Sequence, residues 1–421
     1  MDYINESFLK IREYIKNNWD KTVRKNDYIK DFVMPYDYVS PCADGLLTEL
    51  YYWDTYFTNK GLYIDGRNNY ALNNICDLKF ALKTFGCVPN ICRKDGADYC
   101  SQPPLLFLMV SDYYEKTSDR DFLKDSYYYL KKEYDFWMTK RISDNGLNNY
   151  GSNYSFDRND KNRIDFCVDY YVGRLNIDVD GWSEDKKIEF CENMIAEAES
   201  GEDFTPRFSG RAKYINPIDL NSFLYGFERK MEYFSQILKN GEKTCWTNKA
   251  DRRKELILKY CYDTETGVFF DYDFKTGKKT GVYCVACYMP FIFGISKDLK
   301  ALMTVNDKLI YDFGVVSCEK TENCPLIYQW GYPNAWAPHQ FWAYSANRLL
   351  KNNGTALSIA EKYLTNVYKG FVQHGILFEK YDAVQGGKAV VNEYDCLEML
   401  GWTAGVFNYF YQVCFEEDNK L

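Results

Sequence analysis

Four segments of the chain combine acidic, aromatic and glycine residues in a way that suits acid–base chemistry. They are 49–57 (ELYYWDTYF), 200–204 (SGEDF, followed by Arg207), 329–338 (QWGYPNAWAP), and 378–382 (FEKYD) with the later 392–394 and 401–405. Breaking a glycosidic bond requires one carboxylic acid to protonate the leaving oxygen and a second carboxylate to activate water or attack the sugar. Aromatic neighbours wall a pocket and keep an acid protonated by excluding water. Each segment alone also has a structural explanation, but the four together favour a glycosidase.

The composition agrees with a carbohydrate ligand and argues against nucleic acid. The chain has 39 Tyr, 28 Phe and 9 Trp, and aromatic rings stack on sugar faces while Tyr hydroxyls bind sugar hydroxyls. An amino-acid bias of the whole genome is an alternative explanation for the high aromatic content. The net charge is −8, without the basic stripe that nucleic-acid binders carry. We therefore expect a small carbohydrate partner and no nucleic acid.

The cysteine pattern and the N-terminus predict a cytoplasmic protein. The 15 cysteines lie mostly within apolar patterns, which is typical of reduced, buried thiols. Cys284 and Cys287 form a CxxC pair with Cys318 and Cys324 nearby, but the apolar surroundings argue against a metal site, and we expect no cofactor. The amphipathic first helix does not resemble a signal peptide, and no apolar run could span a membrane.

Helical periodicity dominates the chain and predicts the elements that must position these segments. The predicted helices are 4–17, 67–85, 103–116, 119–140, 184–199, 216–239, 247–262, 334–352, 354–371 and 401–414. Asp119 and Ser183 stand at predicted helix starts, and Pro217 fits a first turn. A hairpin is predicted at 266–284, and a long functional loop at 143–181. With no linker visible, we expect one all-α domain over 1–421, an (α/α)6 toroid with a small β-hairpin.

The same segments resemble the trehalase family of glycoside hydrolases in order and in letters. ELYYWDTYF is similar to the E-x-Y-x-W-D-x-Y signature, and FGCVPNICR…SQPP at 85–104 to I-P-N-G-N-R…S-Q-P-P. ESGEDFTPRF is similar to E-S-G-W-D-F-S-S-R-W, and NPIDLNSFL to P-V-D-L-N-x-x-L. QWGYPNAWAP resembles Q-W-D-x-P-x-G-W-A-P, and FEKYD with NEYDCLEMLGWTAGV resembles E-K-Y-D…G-E-Y…G-F-G-W-T-N-G-V. The matches extend over about 49–405.

The resemblance implies a role for each matched residue. Asp203 is expected to be the general acid and Glu379 the general base of an inverting hydrolase that needs no cofactor. An inverting mechanism requires the two carboxyl groups to lie about 6.5–9.5 Å apart, with a water between them. The residues expected to bind substrate are Trp53, Asp54, Asn90, Gln102, Arg207, Gln329, Trp330, Trp336 and Glu393.

The chain departs from the family pattern where that pattern carries arginine. Leu46 stands at the Arg of G-G-R-F, and Tyr99-Cys100 replaces the Ser-Arg of S-R-S-Q-P-P. The R-P-E-S motif is absent from 141–181, Gly331 replaces the second signature's Asp, and Ala335 replaces its Gly. Each lost pocket donor should reduce binding by on the order of 1.5–3 kcal/mol. We therefore expect an inverting α-glycosidase that acts on a small α-glucoside, which is trehalose, a related disaccharide or a glucosylated small molecule, and the losses favour a changed leaving group. The candidate replacements for the lost charge are Arg93, Arg163 and Arg174.

Two other classes of function stay open on the sequence. A catalytically inactive sugar-binding or regulatory protein could retain the scaffold, although keeping both Asp203 and Glu379 argues against it. A sugar epimerase or isomerase often uses His for proton transfer. Only His339 and His374 exist here, and His339 after the Pro338 turn is expected to be structural. The oligomeric state is not predicted.

Overall fold

The computed structural model describes residues 2–30, 32–96, 99–321, 326–389, 398 and 401–416, and within these ranges the chain is mostly helical. The helices are α1 (Asp2–Asn18), α2 (Tyr52–Ile64), α3 (Asn68–Phe85), α4 (Leu106–Thr117), α5 (Arg120–Lys140), α6 (Lys161–Leu175), α7 (Glu184–Glu199), α8 (Ile218–Leu238), α9 (Lys243–Tyr260), α10 (Met289–Ile292), α11 (Leu299–Leu309), α12 (Ala337–Leu349), α13 (Asn353–His374) and α14 (Gly401–Tyr411).

All ten predicted helices are present, and four further helices were missed. Helix α2 is buried on nearly every face, so it lacks the polar stripe that reveals a surface helix. Helix α6 lies inside the stretch 143–181 that was predicted to be a loop, and that prediction was wrong for 161–175. The Asn- and Asp-rich residues before this helix suggested a loop. The helix itself is amphipathic and buries two aliphatic side chains, Ile164 and Val168.

The strands are short and lie between helices. They are β1 (Val23–Arg24), β2 (Tyr38–Val39), β3 (Leu50–Tyr51), β4 (Ile91–Cys92), β5 (Ile215–Asn216), β6 (Tyr272–Asp273), β7 (Lys278–Lys279), β8 (Ile310–Tyr311), β9 (Gly314–Val315), β10 (Asn334–Trp336) and β11 (Lys380–Asp382). β6 and β7 form the predicted hairpin, and β5 adds a third antiparallel strand. The pairs β3–β4 and β10–β11 hold segments of the predicted site together.

Side-chain caps start several helices where the sequence predicts them. The Asp119 carboxylate accepts the Phe122 amide at 2.9 Å, and the Ser183 hydroxyl accepts the Lys186 amide at 3.3 Å. Each cap satisfies one of the backbone donors that a helix N-terminus leaves free. Pro217 precedes α8 as its N-cap residue rather than lying in its first turn.

Helices α2 and α14 approach each other closely at two glycines, Gly61 and Gly405. A Cβ added at Gly405 would lie 2.0 Å from the carbonyl oxygen of Phe57, and one added at Gly61 would lie 2.8 Å from the Gly405 Cα. Only glycine permits this approach, which brings Trp53 on α2 and Trp402 on α14 to the same place. No described helix is both long enough and apolar enough to traverse a lipid bilayer.

Candidate active site

Asp203 lies on a tight turn directly after α7. Gly201 in this turn has φ = 78°, and a Cβ there would lie 3.0 Å from the Trp53 ring. The Glu197 carboxylate, one turn back in α7, accepts the Thr205 amide at 3.0 Å. Helix α7 therefore fixes both ends of the turn that presents Asp203.

Four tryptophans, Trp53, Trp330, Trp336 and Trp402, form a cluster beside this turn, here called the tryptophan cluster. Trp330 and Trp336 stack with ring centroids 3.7 Å apart. Trp53 lies 5.7 Å from Trp330 and 6.1 Å from Trp402 by ring centroids. The four rings come from three of the sequence segments that suggested chemistry, so folding brings those segments together.

Glu379 reaches the same cluster from the opposite end of the sequence. The pairing of β10 with β11 places Glu379 next to the segment of Trp336, and the Trp402 indole donates to the Glu379 carbonyl oxygen at 2.9 Å. The Glu379 side chain is buried, and its negative charge raises the pKa of Asp54. Glu379, Asp54 and the tryptophan cluster therefore form one site.

Burial raises the pKa of Asp203 above its ordinary value, because a charged carboxylate is poorly solvated there. A hydrogen bond from Trp330 and the positive charges of Lys380 and Arg174 act in the opposite direction. The net direction is upward, which keeps a proton on Asp203 to a higher pH than on a solvated aspartate. A raised pKa suits a general acid.

The pKa of Asp54 is also raised well above its ordinary value, first by burial and then by the nearby Glu379 charge. Two neighbouring carboxyl groups out of contact with water resist carrying two negative charges. Asp54 therefore keeps its proton to a higher pH than a solvated aspartate does, and in that form it can donate a hydrogen bond.

Three predicted binding residues lie at the site with differing contacts. The Oε1 atom of Gln102 accepts a hydrogen bond from the Trp53 backbone N–H at 3.0 Å. The Oε1 atom of Gln329 accepts from Lys380, whereas its buried Nε2 has no hydrogen-bond partner among the described residues. Asn90 lines the cavity beside Asp203, and its buried Oδ1 likewise lacks a described partner. Buried amides without protein partners fit sugar hydroxyls as ligands.

Arg207 does not bind substrate directly, which corrects the sequence prediction. Its guanidinium is fully buried and bonds Asp219 at 2.7 and 2.8 Å and Asp271 at 2.7 and 3.0 Å, with Glu202 at 3.3 Å. All its nitrogen atoms therefore have carboxylate partners. Arg207 therefore has a structural role: its bonds to Asp219 hold the residues that follow Asp203 against α8.

Trp336 packs inside the tryptophan cluster, and its contact with substrate stays a prediction. It is fully buried, stacks on Trp330, and donates its indole N–H to the Gln329 carbonyl oxygen at 3.2 Å.

Two further predictions have different outcomes. Glu393 lies outside the described residues. His339 is buried within hydrogen-bond distance of the Ser317 hydroxyl, at 3.1 Å, and its Nε2 lies 3.0 Å from a Glu202 oxygen, which agrees with the structural role expected for it.

Lys380 is a site residue that the sequence reasoning missed. Its fully buried ammonium contacts Gln329, lies 5.0 Å from the Trp336 ring centroid, and lowers the pKa of Asp203 by its charge. Its position beside Glu379 in FEKYD could have suggested it, but a lysine next to an acid more often marks a surface ion pair.

A second missed feature is a buried carboxylate network at the end of α7. Glu199 accepts the Ser101 amide at 2.9 Å, the Gly151 amide at 2.8 Å and the Arg141 guanidinium at 2.6 and 2.9 Å. It joins three segments that are distant in the sequence, one of which carries Gln102.

A cavity of about 690 Å³ reaches Asp203 from the side of α6. Its wall includes Asn90, Arg93, Cys100 and Arg163 besides several aromatic residues. Among the described residues, no group of three or more His, Cys, Asp or Glu side chains could hold a metal ion. Cys324, one of the four cysteines considered for such a site, lies outside the described ranges.

Comparison with known proteins places these features in one family. The Trehalase family model matches residues 3–414. A human trehalase is 30% identical over 401 residues, covering 86% of this chain and 64% of that protein, and a trehalase from the honey bee Apis mellifera is 28% identical over 418 residues, covering 91% and 64%. This chain thus spans about 64% of the length of these two relatives.

Solved structures agree on the fold. The neutral trehalase from Saccharomyces cerevisiae superposes with a TM-score of 0.76 at 26% identity, over 96% of this chain and 80% of that one. A mannosylglycerate hydrolase from Thermus thermophilus shares the fold at 16% identity, with a TM-score of 0.63 over 96% and 99% of the two chains.

The fold is thus the predicted (α/α)6 toroid with an acid-bearing turn at its tryptophan cluster, the architecture of a class of glycoside hydrolases. Within that class, the chain belongs to the trehalase family.

Proposed function

We propose that the protein is an inverting α-glycosidase that hydrolyses a small α-glucoside, either trehalose or a related glucoside. The observation that carries the proposal is the convergence of the Asp203 turn and the Glu379 segment on one tryptophan cluster, with Asp203 facing a cavity. Both carboxylates come from segments that resemble the family's catalytic motifs.

In the proposed reaction, Glu379 removes a proton from water while the water oxygen bonds to the anomeric carbon. The glycosidic carbon–oxygen bond breaks, and the leaving oxygen takes the proton of Asp203. The raised pKa of Asp203 keeps that proton available. The unpartnered Nε2 of Gln329 and Oδ1 of Asn90 are the groups best suited to bind sugar hydroxyls.

The first test is substitution of the two carboxylates. Asp203→Asn and Glu379→Gln should each lower kcat by roughly 10³-fold or more on an α-glucoside, because each removes a proton-transfer group. Melting curves should stay close to the wild type, since both side chains keep their size. Glu255→Gln on α9, whose side chain is 68% exposed, is the control and should retain activity. Wild-type turnover in either active-site variant would refute the assignment.

Stereochemistry provides an independent test. With methyl α-glucoside as the substrate, whose leaving group has no anomeric centre, proton NMR of the first glucose released should show the β anomer, because water attacks the face opposite the leaving group. Release of the α anomer would mean that Glu379 attacks the sugar directly. The same assay separates the open alternatives, since a binding protein releases no sugar and an epimerase returns an isomer instead of a cleaved product.

We also infer a cytoplasmic location. Every cysteine in the described ranges is free, including Cys284 and Cys318, which face each other across a β-bridge. Oxidising compartments favour disulfides between cysteines placed in this way. Mass spectrometry of protein alkylated during lysis in denaturant, which exposes these buried thiols, should find both labelled, and a Cys284–Cys318 disulfide would contradict the inference.

A further inference from the structure

Three buried cysteines lie together next to the turn that carries Asp203. Cys284 and Cys287 belong to the segment before α10, and Cys318 follows β9. Each of the three residues is 2% exposed or less. The thiols of Cys287 and Cys318 hydrogen-bond the Cys284 sulfur, and these bonds hold the pKa of Cys284 below its ordinary value. Because the thiolate is the form of cysteine that attacks an oxidant, Cys284 is the reactive member of the group.

Cys284 and Cys318 face each other across two antiparallel segments at a position that permits a disulfide. The Val285 amide donates to the Ser317 carbonyl oxygen at 2.9 Å, and a second bond of 2.8 Å joins the residues on the other side of the pair. The two cysteines are therefore a non-hydrogen-bonded pair, in which the Cα atoms lie about 4.5 Å apart. Disulfides form at Cα separations of about 4.4–6.8 Å, so this pair can be bridged without separating the two segments.

Cys318 contacts the turn that carries Asp203. Its sulfur lies 3.6 Å from the Thr205 hydroxyl, which donates to the Trp330 carbonyl oxygen at 3.1 Å. A disulfide removes the thiol proton of Cys318 and holds its sulfur about 2.05 Å from the sulfur of Cys284. The contact with Thr205 therefore changes when the bridge forms.

A second contact reaches the residue on the other side of Asp203. The Ser317 hydroxyl lies 3.1 Å from Nδ1 of His339, and Nε2 of the same ring lies 3.0 Å from a Glu202 oxygen. Ser317 is the neighbour of the cysteine in the chain, so a displacement of this segment acts on the turn from both sides of Asp203.

A second cavity, of about 550 Å³, gives a small molecule a route toward these thiols. Its lining includes Thr205, whose hydroxyl contacts the Cys318 sulfur, and Glu319, which follows that cysteine in the chain. The sulfur atoms lie behind this part of the cavity wall. An oxidant as small as hydrogen peroxide reaches them through a small local opening, whereas a bulky disulfide needs a larger one.

We propose that Cys284 and Cys318 form a site of reversible oxidation, at which hydrogen peroxide closes a disulfide that disturbs the Asp203 turn and lowers activity. The effect on activity rests on the hydrolase function proposed above, whereas the disulfide itself does not. The reduced pair is the active form, and it is also the form expected at the cytoplasmic location inferred above.

The reaction consumes one peroxide for each disulfide. The Cys284 thiolate attacks a peroxide oxygen, the O–O bond breaks, and the departing hydroxide takes up the proton that the Cys284 thiol had released. Cys318 then loses its thiol proton and attacks the sulfur of the resulting sulfenic acid. The S–S bond forms as the S–O bond breaks, and the second hydroxide leaves as water with that proton. Two thiols and one hydrogen peroxide thus give one disulfide and two waters.

The first measurement is disulfide mapping of the purified full chain. After treatment with hydrogen peroxide and alkylation in denaturant, the tryptic peptides 280–297 and 309–320 should be linked, and dithiothreitol should separate them. Fragment ions of peptide 280–297 show which of its two cysteines is bridged. A bridge between Cys284 and Cys287, or free thiols at both Cys284 and Cys318, would overturn the proposal.

The second measurement is kcat/KM of the same samples on methyl α-glucoside. Oxidation should lower it roughly tenfold, because a displacement of about 1 Å at a catalytic group costs up to ~100-fold. Dithiothreitol should restore the activity, which separates the disulfide from methionine sulfoxide, whose repair requires a dedicated reductase. An unchanged kcat/KM in a sample that carries the bridge would refute the coupling to the Asp203 turn.

Three variants locate the effect, each compared with its own reduced form. Cys284→Ala and Cys318→Ala should each lose the response to peroxide. Cys245→Ala removes an exposed thiol on α9, which peroxide reaches more easily, and should respond like the wild type. A response that survives in Cys318→Ala or disappears in Cys245→Ala would contradict the assignment of the site.

Failure of the hydrolase function is distinguishable from failure of this proposal. If no glucoside is cleaved, the proposed activity is wrong, and the coupling is then measured by hydrogen–deuterium exchange of the wild-type protein. Faster exchange of the backbone amides of 200–207 in the oxidised sample supports the coupling, and unchanged exchange refutes it.

Discussion

At the scale of single residues, the site depends on how one aspartate keeps its proton. Burial raises the pKa of Asp203, whereas the hydrogen bond from Trp330 lowers it by stabilising the charged form. A general acid works in its protonated form, so activity is present below its pKa and is lost as the pH rises through it.

The substitution Trp330→Phe should therefore extend activity to higher pH. Removing the indole donor destabilises the charged form of Asp203, and its pKa rises further. The alkaline limb of the kcat/KM profile should move upward by about one pH unit, the shift expected from losing a hydrogen bond to a charged group. The position of the limb is the readout, because the rate itself also falls when a pocket ring is changed.

Trp336→Phe is the matched control. It removes an indole from the same stack whose N–H bonds the Gln329 carbonyl oxygen instead of Asp203. The alkaline limb should stay in place. A downward shift in Trp330→Phe would show that Asp203 is not the group that titrates.

At the scale of elements, the contact of α2 with α14 positions two rings of the tryptophan cluster. The sequence predicts α14 but not α2, because the hydrophobic pattern of α2 has no polar face. The sequence GWTAGV does not predict that Gly405 lies against the Phe57 carbonyl oxygen of α2. That contact depends on the packing of two segments more than 300 residues apart in the chain.

Gly405→Ala should destabilise the protein and reduce activity together. The new methyl group would lie 2.0 Å from the Phe57 carbonyl oxygen, so the helices must separate. We expect the free energy of unfolding to fall by about 1–3 kcal/mol, as in other overpacked interiors. Urea denaturation measures the loss, and kcat/KM should fall because Trp53 and Trp402 move with their helices.

The control for this change is Gly354→Ala in α13. It is also helical, and no atom lies within 4 Å of a Cβ built there. Alanine favours helix over glycine by up to about 1 kcal/mol, so this variant should be as stable as the wild type or slightly more so. Equal stability of both variants would show that α2 and α14 do not touch as described.

At the scale of the whole molecule, the sequence predicted the class of fold and the meeting of the Asp203 and Glu379 segments, but not the supporting contacts. Helical periodicity is a local pattern, so it can be recognised from the sequence alone. The collinear motifs identify the segments that meet at the site. The role of Arg207 was misjudged because a motif shows that a residue matters without showing whether its side chain reaches the pocket or pairs with other residues of the protein. Whether 1–421 forms one domain stays a prediction.

Glu199 shows how separate segments are joined across the molecule, and its removal should have a global effect. Its carboxylate bonds Arg141 and the amides of Ser101 and Gly151, all within buried structure. Glu199→Gln leaves the buried Arg141 charge without its partner, and breaking a buried ion pair typically reduces stability by about 3–5 kcal/mol.

Urea unfolding of Glu199→Gln should therefore show a lower midpoint of one cooperative transition. Glu255→Gln breaks an exposed ion pair with Arg252 and should change the free energy of unfolding by about 1 kcal/mol or less. The two losses differ because solvent screens the second pair and not the first. Equal stability of Glu199→Gln and Glu255→Gln would contradict this expectation. Apolar contacts, and not the Glu199 carboxylate, would then hold the segments around Ser101, Arg141 and α7 together. The Gln102 segment would likewise be fixed beside the Asp203 turn by something other than Glu199.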